Sequence, residues 1–143
     1  MINTADNLRE SSDTKPGLSI VVPAYDEEGN LTRLYAELMK VLPSLDMSWE
    51  IILVDDGSTD NSWEEIVSLY EEDQRVKGIR LSRNFGHQYA LLAGLYQAEG
   101  EAIVTMDADL QHPPEIIPIL VDRWRKGAKI VHTIRTDPED FSL

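Results

Sequence analysis

Short β-branched runs alternate with stretches of helical period along most of this chain, and that alternation limits the fold more than any single motif does. Leu18-Ser19-Ile20-Val21-Val22, closed by Pro23, reads as a buried strand. Leu31, Leu34, Tyr35, Leu38, Met39 and Leu42 keep the i, i+3, i+4, i+7 spacing of an amphipathic helix that stops at Pro43. Glu50 to Val54 repeats the strand pattern and runs into Asp55-Asp56-Gly57-Ser58. A second helix opens at Ser62, with Glu65 at capping-box spacing and Trp63, Ile66, Val67 and Tyr70 on one face. Val76 to Leu81 is a third strand weakened by Gly78, and Gln88 to Ala98 a broadly apolar helix closed by Gly100. Ala102 to Met106 reads as a fourth strand. Pro114 suits a first helical turn, whereas Pro118 falls inside the same helix and is expected to bend it. Lys129 to Thr133 reads as a fifth strand. Strands and helices in this order predict an α/β fold, a Rossmann-like parallel sheet with right-handed crossovers and helices on both faces.

Length and composition agree with one soluble-type domain. The 143 residues are 42% apolar and 27% charged, ordinary values for a globular chain. Residues 1–16 are polar and aperiodic and read as a loose tail, leaving 17–143 as the domain. No run approaches the ~18 apolar residues of a membrane span and no signal-peptide pattern opens the chain, so a cytoplasmic location is expected. The absence of cysteine removes disulfides, thiolate zinc sites and cysteine nucleophiles. A net charge of −13 argues against nucleic acid or an anionic bilayer as partner. A phosphate substrate would then need local positive charge, which a metal ion supplies.

Parallel sheets bind ligands outside the carboxyl ends of their strands. Pro23 to Asn30, Asp55 to Asp60 and Asp107 to Pro114 follow the first, second and fourth strands, so all three segments should meet at one edge. Asp107 and Asp109 stand one residue apart in the last of them. An isolated D-x-D is commonly a pair of solvated loop aspartates. Its alternative is a site for a hard divalent ion such as Mg2+ or Mn2+, shared with the phosphates of a nucleotide. No G-x-G-x-x-G follows the first strand, so the dinucleotide-binding version of the fold is not indicated. A phosphoacceptor receiver domain wants its acidic pair after strand one and a lone aspartate after strand three, and neither is present.

Val21-Val22-Pro23-Ala24-Tyr25-Asp26-Glu27-Glu28-Gly29-Asn30-Leu31, then Val54-Asp55-Asp56-Gly57-Ser58-Thr59-Asp60, then Met106-Asp107-Ala108-Asp109-Leu110-Gln111-His112-Pro113-Pro114 resemble the amino-terminal half of a family 2 inverting glycosyltransferase of the GT-A fold. Leu81-Ser82-Arg83-Asn84-Phe85-Gly86-His87-Gln88 is similar to the branch that glycosylates polyprenyl phosphates, among them dolichol-phosphate mannosyltransferases and undecaprenyl-phosphate glucosyl- and aminoarabinosyltransferases. The likeness runs from Leu18 to Arg135. Asp26 departs from the family's more usual asparagine.

The resemblance implies that Pro23, Ala24, Tyr25 and Glu27 line the base and ribose pocket of a UDP- or GDP-sugar, with Val54 and Asp56 at its floor and Ala108 nearby. Asp56 is then the partner of the base, while Asp55 caps the Gly57-Ser58 turn. Asp107 and Asp109 hold Mg2+ or Mn2+ and the diphosphate, Gln111 is a candidate neutral oxygen ligand, and Arg135 contacts the diphosphate region. His87, His112 and His132 read as hydrogen-bonding structural residues. Arg83 and Asn84 meet phosphate or fix their loop, and Trp63 and Trp124 read as packing.

The implied reaction is transfer of the sugar to a polyprenyl phosphate in a parent protein at the cytoplasmic face of a membrane. This chain would be the donor-binding half, inactive alone. A nucleotide-binding module without transferase activity is the alternative. Later family sequence would flank the fourth strand, so its outer edge is expected to pair with a second copy or with Lys129 to Thr133.

Overall fold

The structure, a computed structural model, describes residues 14–134. Its elements follow the predicted order. Strand β1 (Leu18–Ala24) leads to helix α1 (Asn30–Val41) and a short 3-10 turn over Leu42–Leu45, then β2 (Trp49–Asp55), α2 (Ser62–Glu72), β3 (Val76–Arg80), α3 (His87–Gln97) and β4 (Ala102–Thr105). A 3-10 turn at Pro114–Ile116 opens into α4 (Ile117–Arg125).

The four strands form one parallel sheet in the order β3-β2-β1-β4. In register, Leu18 faces Trp49 on one side and Ala102 on the other. All seven residues of β1 are buried, as a continuous apolar run requires when both neighbours are strands and both faces are covered. Alternate residues of β1 supply two cores. Leu18, Ile20, Val22 and Ala24 pack with Ile51 and Leu53 against Leu31, Leu34 and Leu38 of α1, Ile66 and Leu69 of α2, and Ile117 and Val121 of α4. Val21, Ile52 and Val54 meet Ala90 of α3 on the opposite face.

The amino end of the sheet is tied by Glu50, whose carboxylate accepts from Ser19 Oγ at 2.5 Å and the Glu99 N–H at 2.8 Å and pairs with Lys77 Nζ at 2.6 Å. Burial pushes this carboxyl up, but those donors outweigh it and hold the pKa below the usual range. At the end of α2, Asp73 accepts from Tyr35 Oη at 2.8 Å and from Arg75 Nε at 2.9 Å.

Four local expectations are corrected. Lys129 to Thr133 forms no strand, and Ile130 is 76% exposed; β-branched composition alone does not make a strand where no neighbour meets it. β4 is therefore an outer strand of the described sheet, and the anticipated pairing of its edge with Lys129 to Thr133 does not occur. Pro118 sits in the first turn of α4, where its missing N–H has no intrahelical partner to lose, so it bends nothing. The predicted capping box is absent, because Asn61 occupies the cap of α2 and Glu65 turns away to accept the Gly29 N–H and, at 3.2 Å, the Thr32 N–H. Of the expected tail, residues 1–13 lie outside the described residues, and the Pro16 carbonyl accepts the Glu101 N–H at 3.3 Å.

Candidate functional site

The loops after β1 and β2 are stitched together residue by residue. The Asp26 N–H donates to Ser58 Oγ at 2.9 Å, and Asp26 Oδ1 accepts the Thr59 N–H at 2.7 Å. Next along the chain, the Glu27 N–H reaches Ser62 Oγ at 2.8 Å and the Glu28 N–H reaches Asp60 Oδ2 at 3.1 Å. Asp26 has a φ of 50°. Asparagine and aspartate tolerate that left-handed backbone better than most residues, so Asp26 suits the turn, and Thr59 binds its carboxylate.

Asp55 and Asp56 divide as expected in one respect and differ in another. Asp55, fully buried, accepts the Ser58 N–H through Oδ1 at 3.1 Å and so closes the turn; its Oδ2 lies 3.5 Å from Arg80 Nε, an ion-pair distance. Asp56 is 3% exposed and both of its oxygens are engaged, Oδ1 by the Phe85 N–H at 2.8 Å and Oδ2 by the Gly86 N–H at 3.1 Å. It grips the segment between β3 and α3. A carboxylate has about four lone-pair sites, so a further donor is still accommodated. Gly57 makes the grip possible at close range, since a Cβ there would stand 2.4 Å from the Arg83 carbonyl carbon.

After β4 the chain presents Asp107, half exposed, and Asp109, exposed. Asp109 Oδ1 accepts the Gln111 N–H at 3.1 Å across Leu110, whose φ is 62°. Asp107 Oδ1 lies 3.0 Å from His87 Nε2, and Oδ2 lies 3.9 Å from His112 Nδ1. The expected convergence therefore holds, because the four loops after β1, β2, β3 and β4 share one end of the sheet and are linked by hydrogen bonds.

The remaining predicted site residues fall into two groups. Tyr25 is 44% exposed at this end, and Glu27 accepts Asn30 Nδ2 at 2.7 Å. Pro23, Ala24, Val54 and Ala108 are buried, Val54 in the core beneath α3 and Ala24 and Ala108 in the larger core, so they underlie this end of the sheet and present no open surface of their own. Arg135 lies outside the described residues. Sequence reasoning missed the contact of His87 with Asp107. The available signal was strand order, since a chain leaving one edge of a sheet for the other must pass over the strands between them.

Among the described residues no group of three or more His, Asp or Glu side chains is arranged to hold a metal by itself. Two carboxylates remain, on a loop with their oxygens only partly engaged. Hard divalent ions are commonly held by one or two carboxylates and completed by water and substrate phosphate, so this donor set fits Mg2+ or Mn2+ together with a diphosphate.

The profile of Glycosyl transferase family 2 matches residues 19–142. The chain is 48% identical over 118 residues to an uncharacterized glycosyltransferase of Synechocystis sp., covering 82% of this chain and 37% of that protein. It is 44% identical over 126 residues to the undecaprenyl-phosphate 4-deoxy-4-formamido-L-arabinose transferase of Proteus mirabilis, covering 86% of this chain and 38% of that one. The chain thus spans well under half the length of these relatives. Among solved structures, S. aureus TarS 1-349 in complex with UDP superposes with a TM-score of 0.52 at 33% identity, over 64% of this chain and 27% of that chain. The mannosyltransferase PcManGT from Pyrobaculum calidifontis, in complex with GDP-Man and Mn2+, gives a TM-score of 0.62 at 23% identity over 76% of this chain and 32% of its own, and speaks to the fold alone. With the sheet order, the joined loops and the family match in agreement, this chain belongs to glycosyl transferase family 2 and has the GT-A type of fold.

Proposed function

We propose that this chain binds the nucleotide sugar donor of a metal-dependent inverting transfer to a polyprenyl phosphate. The observation that carries the reading is the hydrogen-bonded convergence of the strand-end loops, which brings Asp56 and Asp107 to the same end of one parallel sheet. Asp56 accepts a ring N–H of the base, which uracil and guanine both offer. Tyr25 and Glu27 border the base and ribose, over a floor formed by the buried Pro23, Ala24, Val54 and Ala108. Asp107 and Asp109 hold Mg2+ or Mn2+, with Gln111 as a further oxygen ligand, and Arg135 meets the diphosphate. A divalent ion bound there supplies counter-charge to the departing nucleoside diphosphate. The acceptor phosphate is already an anion, so no side chain has to remove a proton. What the protein contributes is position and fixed charge.

The name of the Proteus relative motivates the polyprenyl phosphate acceptor and, with it, a parent at the cytoplasmic face of a membrane. No helix among the described residues is long and apolar enough to cross a membrane. A nucleotide-sugar binding module without transfer is the second reading. Calorimetry with UDP and GDP, with Mn2+ or with EDTA, tests the donor site. Binding is expected to need the ion and to be lost in Asp109→Ala; equal affinity in EDTA would remove the metal role. Transfer to a short-chain polyprenyl phosphate, assayed with this chain and with a full-length relative, separates enzyme from binding module.

A further inference from the structure

β3 and β4 lie at opposite edges of the described sheet, so the chain leaving β3 has to pass over the ends of β2 and β1 before α3 returns it to β4. At a strand spacing of about 4.8 Å that crossing is roughly 14 Å wide. Leu81 to Gly86 makes it as a braced strut. The Leu81 N–H donates to the Asp55 carbonyl at 2.9 Å, the main chain of Arg83 and Asn84 rests on Gly57, and Asp56 holds the amides of Phe85 and Gly86. Gly86, at φ 105° and ψ 156°, occupies a region essentially restricted to glycine. That turn starts α3 with His87 as its first residue, and the imidazole arrives at Asp107.

We propose that His87 is a positioning residue for the acidic pair, donating its Nε2–H to Oδ1 of Asp107 and so fixing that carboxylate with Oδ2 free for a divalent ion. A carboxylate only accepts, so the 3.0 Å contact puts the proton on Nε2. His112 Nδ1, at 3.9 Å from Oδ2, stands beyond hydrogen-bond distance. Without His87 an exposed loop aspartate has to be ordered when its ligand arrives, at a cost in side-chain entropy. Carboxylates that bind metals are themselves usually oriented in this way, and loss of such a partner weakens metal binding by about 10- to 100-fold. Both side chains here are about half exposed, 57% and 46%, so the lower end of that range applies. The inference rests on the metal-dependent donor reading above and deepens it, linking the Asp56 side of the site to its Asp107 side through one strut.

The test uses the 143-residue chain. Free Mn2+ is followed by its electron paramagnetic resonance signal during titration, with UDP and with GDP in parallel, for the wild type, His87→Ala, His87→Gln and Asp107→Asn. Glutamine sets an amide N–H near the place of Nε2. Expected are about tenfold weaker Mn2+ binding in His87→Ala, most of it regained in His87→Gln, and unchanged melting temperatures. A purely structural histidine would lower the melting temperature in both variants and leave the metal affinity of the folded protein alone. Undiminished Mn2+ affinity in His87→Ala, with Asp107→Asn impaired, overturns the proposal and leaves the donor reading standing. A wild type that binds no Mn2+ overturns both.

Discussion

Gly57→Ala is expected to cost more than a left-handed glycine ordinarily does, because the space beside Gly57 is filled by main chain. Its φ is 71°, and an added Cβ would lie 2.4 Å from the Arg83 carbonyl carbon, 2.5 Å from Asn84 N and 2.8 Å from Arg83 Cα. The left-handed backbone costs an alanine about 1–2 kcal/mol. Overpacking adds about 1–3 kcal/mol, and backbone atoms have no alternative rotamer with which to escape. The total is then roughly 2–5 kcal/mol, accompanied by lifting of the strut from Asp56. Gly127→Ala is the matched control, with φ 104° and nothing within 4 Å of the added carbon, so only the backbone cost of about 1–2 kcal/mol applies. Urea unfolding followed by circular dichroism measures both. At a slope of about 1–3 kcal/mol per molar urea, the midpoint of Gly57→Ala falls clearly below that of Gly127→Ala. Hydrogen exchange supplies the local readout, with the Phe85 and Gly86 amides losing protection only in Gly57→Ala. Equal midpoints for the two variants, or retained protection at Phe85 and Gly86, would show that the strut does not rest on Gly57.

Asp56→Ala removes the acceptor of two amides and, on the proposed function, the base partner; it is expected to lower stability by about 1–3 kcal/mol and to weaken UDP or GDP binding in calorimetry. Asp55→Ala is expected to act on stability with nucleotide affinity kept, and the opposite pattern would reverse the two roles. Arg75, chiefly through its side-chain hydrogen bond, holds the Asp73 carboxyl down at about 2, against 3.8 for an unperturbed aspartate. Such a group stabilises the fold fully above the unfolded pKa and loses that contribution as pH falls through the folded one. Asp73→Asn should therefore be less stable than the wild type by about 1–2 kcal/mol at pH 7, allowing for the half-exposed arginine, with the gap closing between about pH 4 and 2; urea melts along that series check it, and a constant gap would refute it. The outer edge of β4 is expected to pair with a second copy, because no strand among the described residues covers it, such an edge invites pairing, and Ile103 there is 43% exposed. Light scattering over a concentration range decides this, and a monomer throughout with freely exchanging Ile103 to Thr105 amides would count against it.

Sequence alone determined the elements whose signal is periodic and local. The β-branched runs of β1, β2 and β4 and the spacing of Leu31, Leu34 and Leu38 need no partner to be recognised, and their alternation dictates a parallel sheet with its loops at one end. The Asp55 cap was legible for the same reason, since aspartate before Gly-Ser bonds within its own turn. Only the tertiary structure decided the rest. Lys129 to Thr133 has the composition of a strand yet forms none, because pairing is a property of two segments. Glu65 has capping-box spacing from Ser62, but the loop after β1 offers it the Gly29 and Thr32 amides instead. Asp56 and His87 are thirty-one positions apart and neither motif mentions the other. Placing β3 and β4 at opposite edges sends the connecting chain across the site, and that route brings Asp56 to the strut and His87 to Asp107.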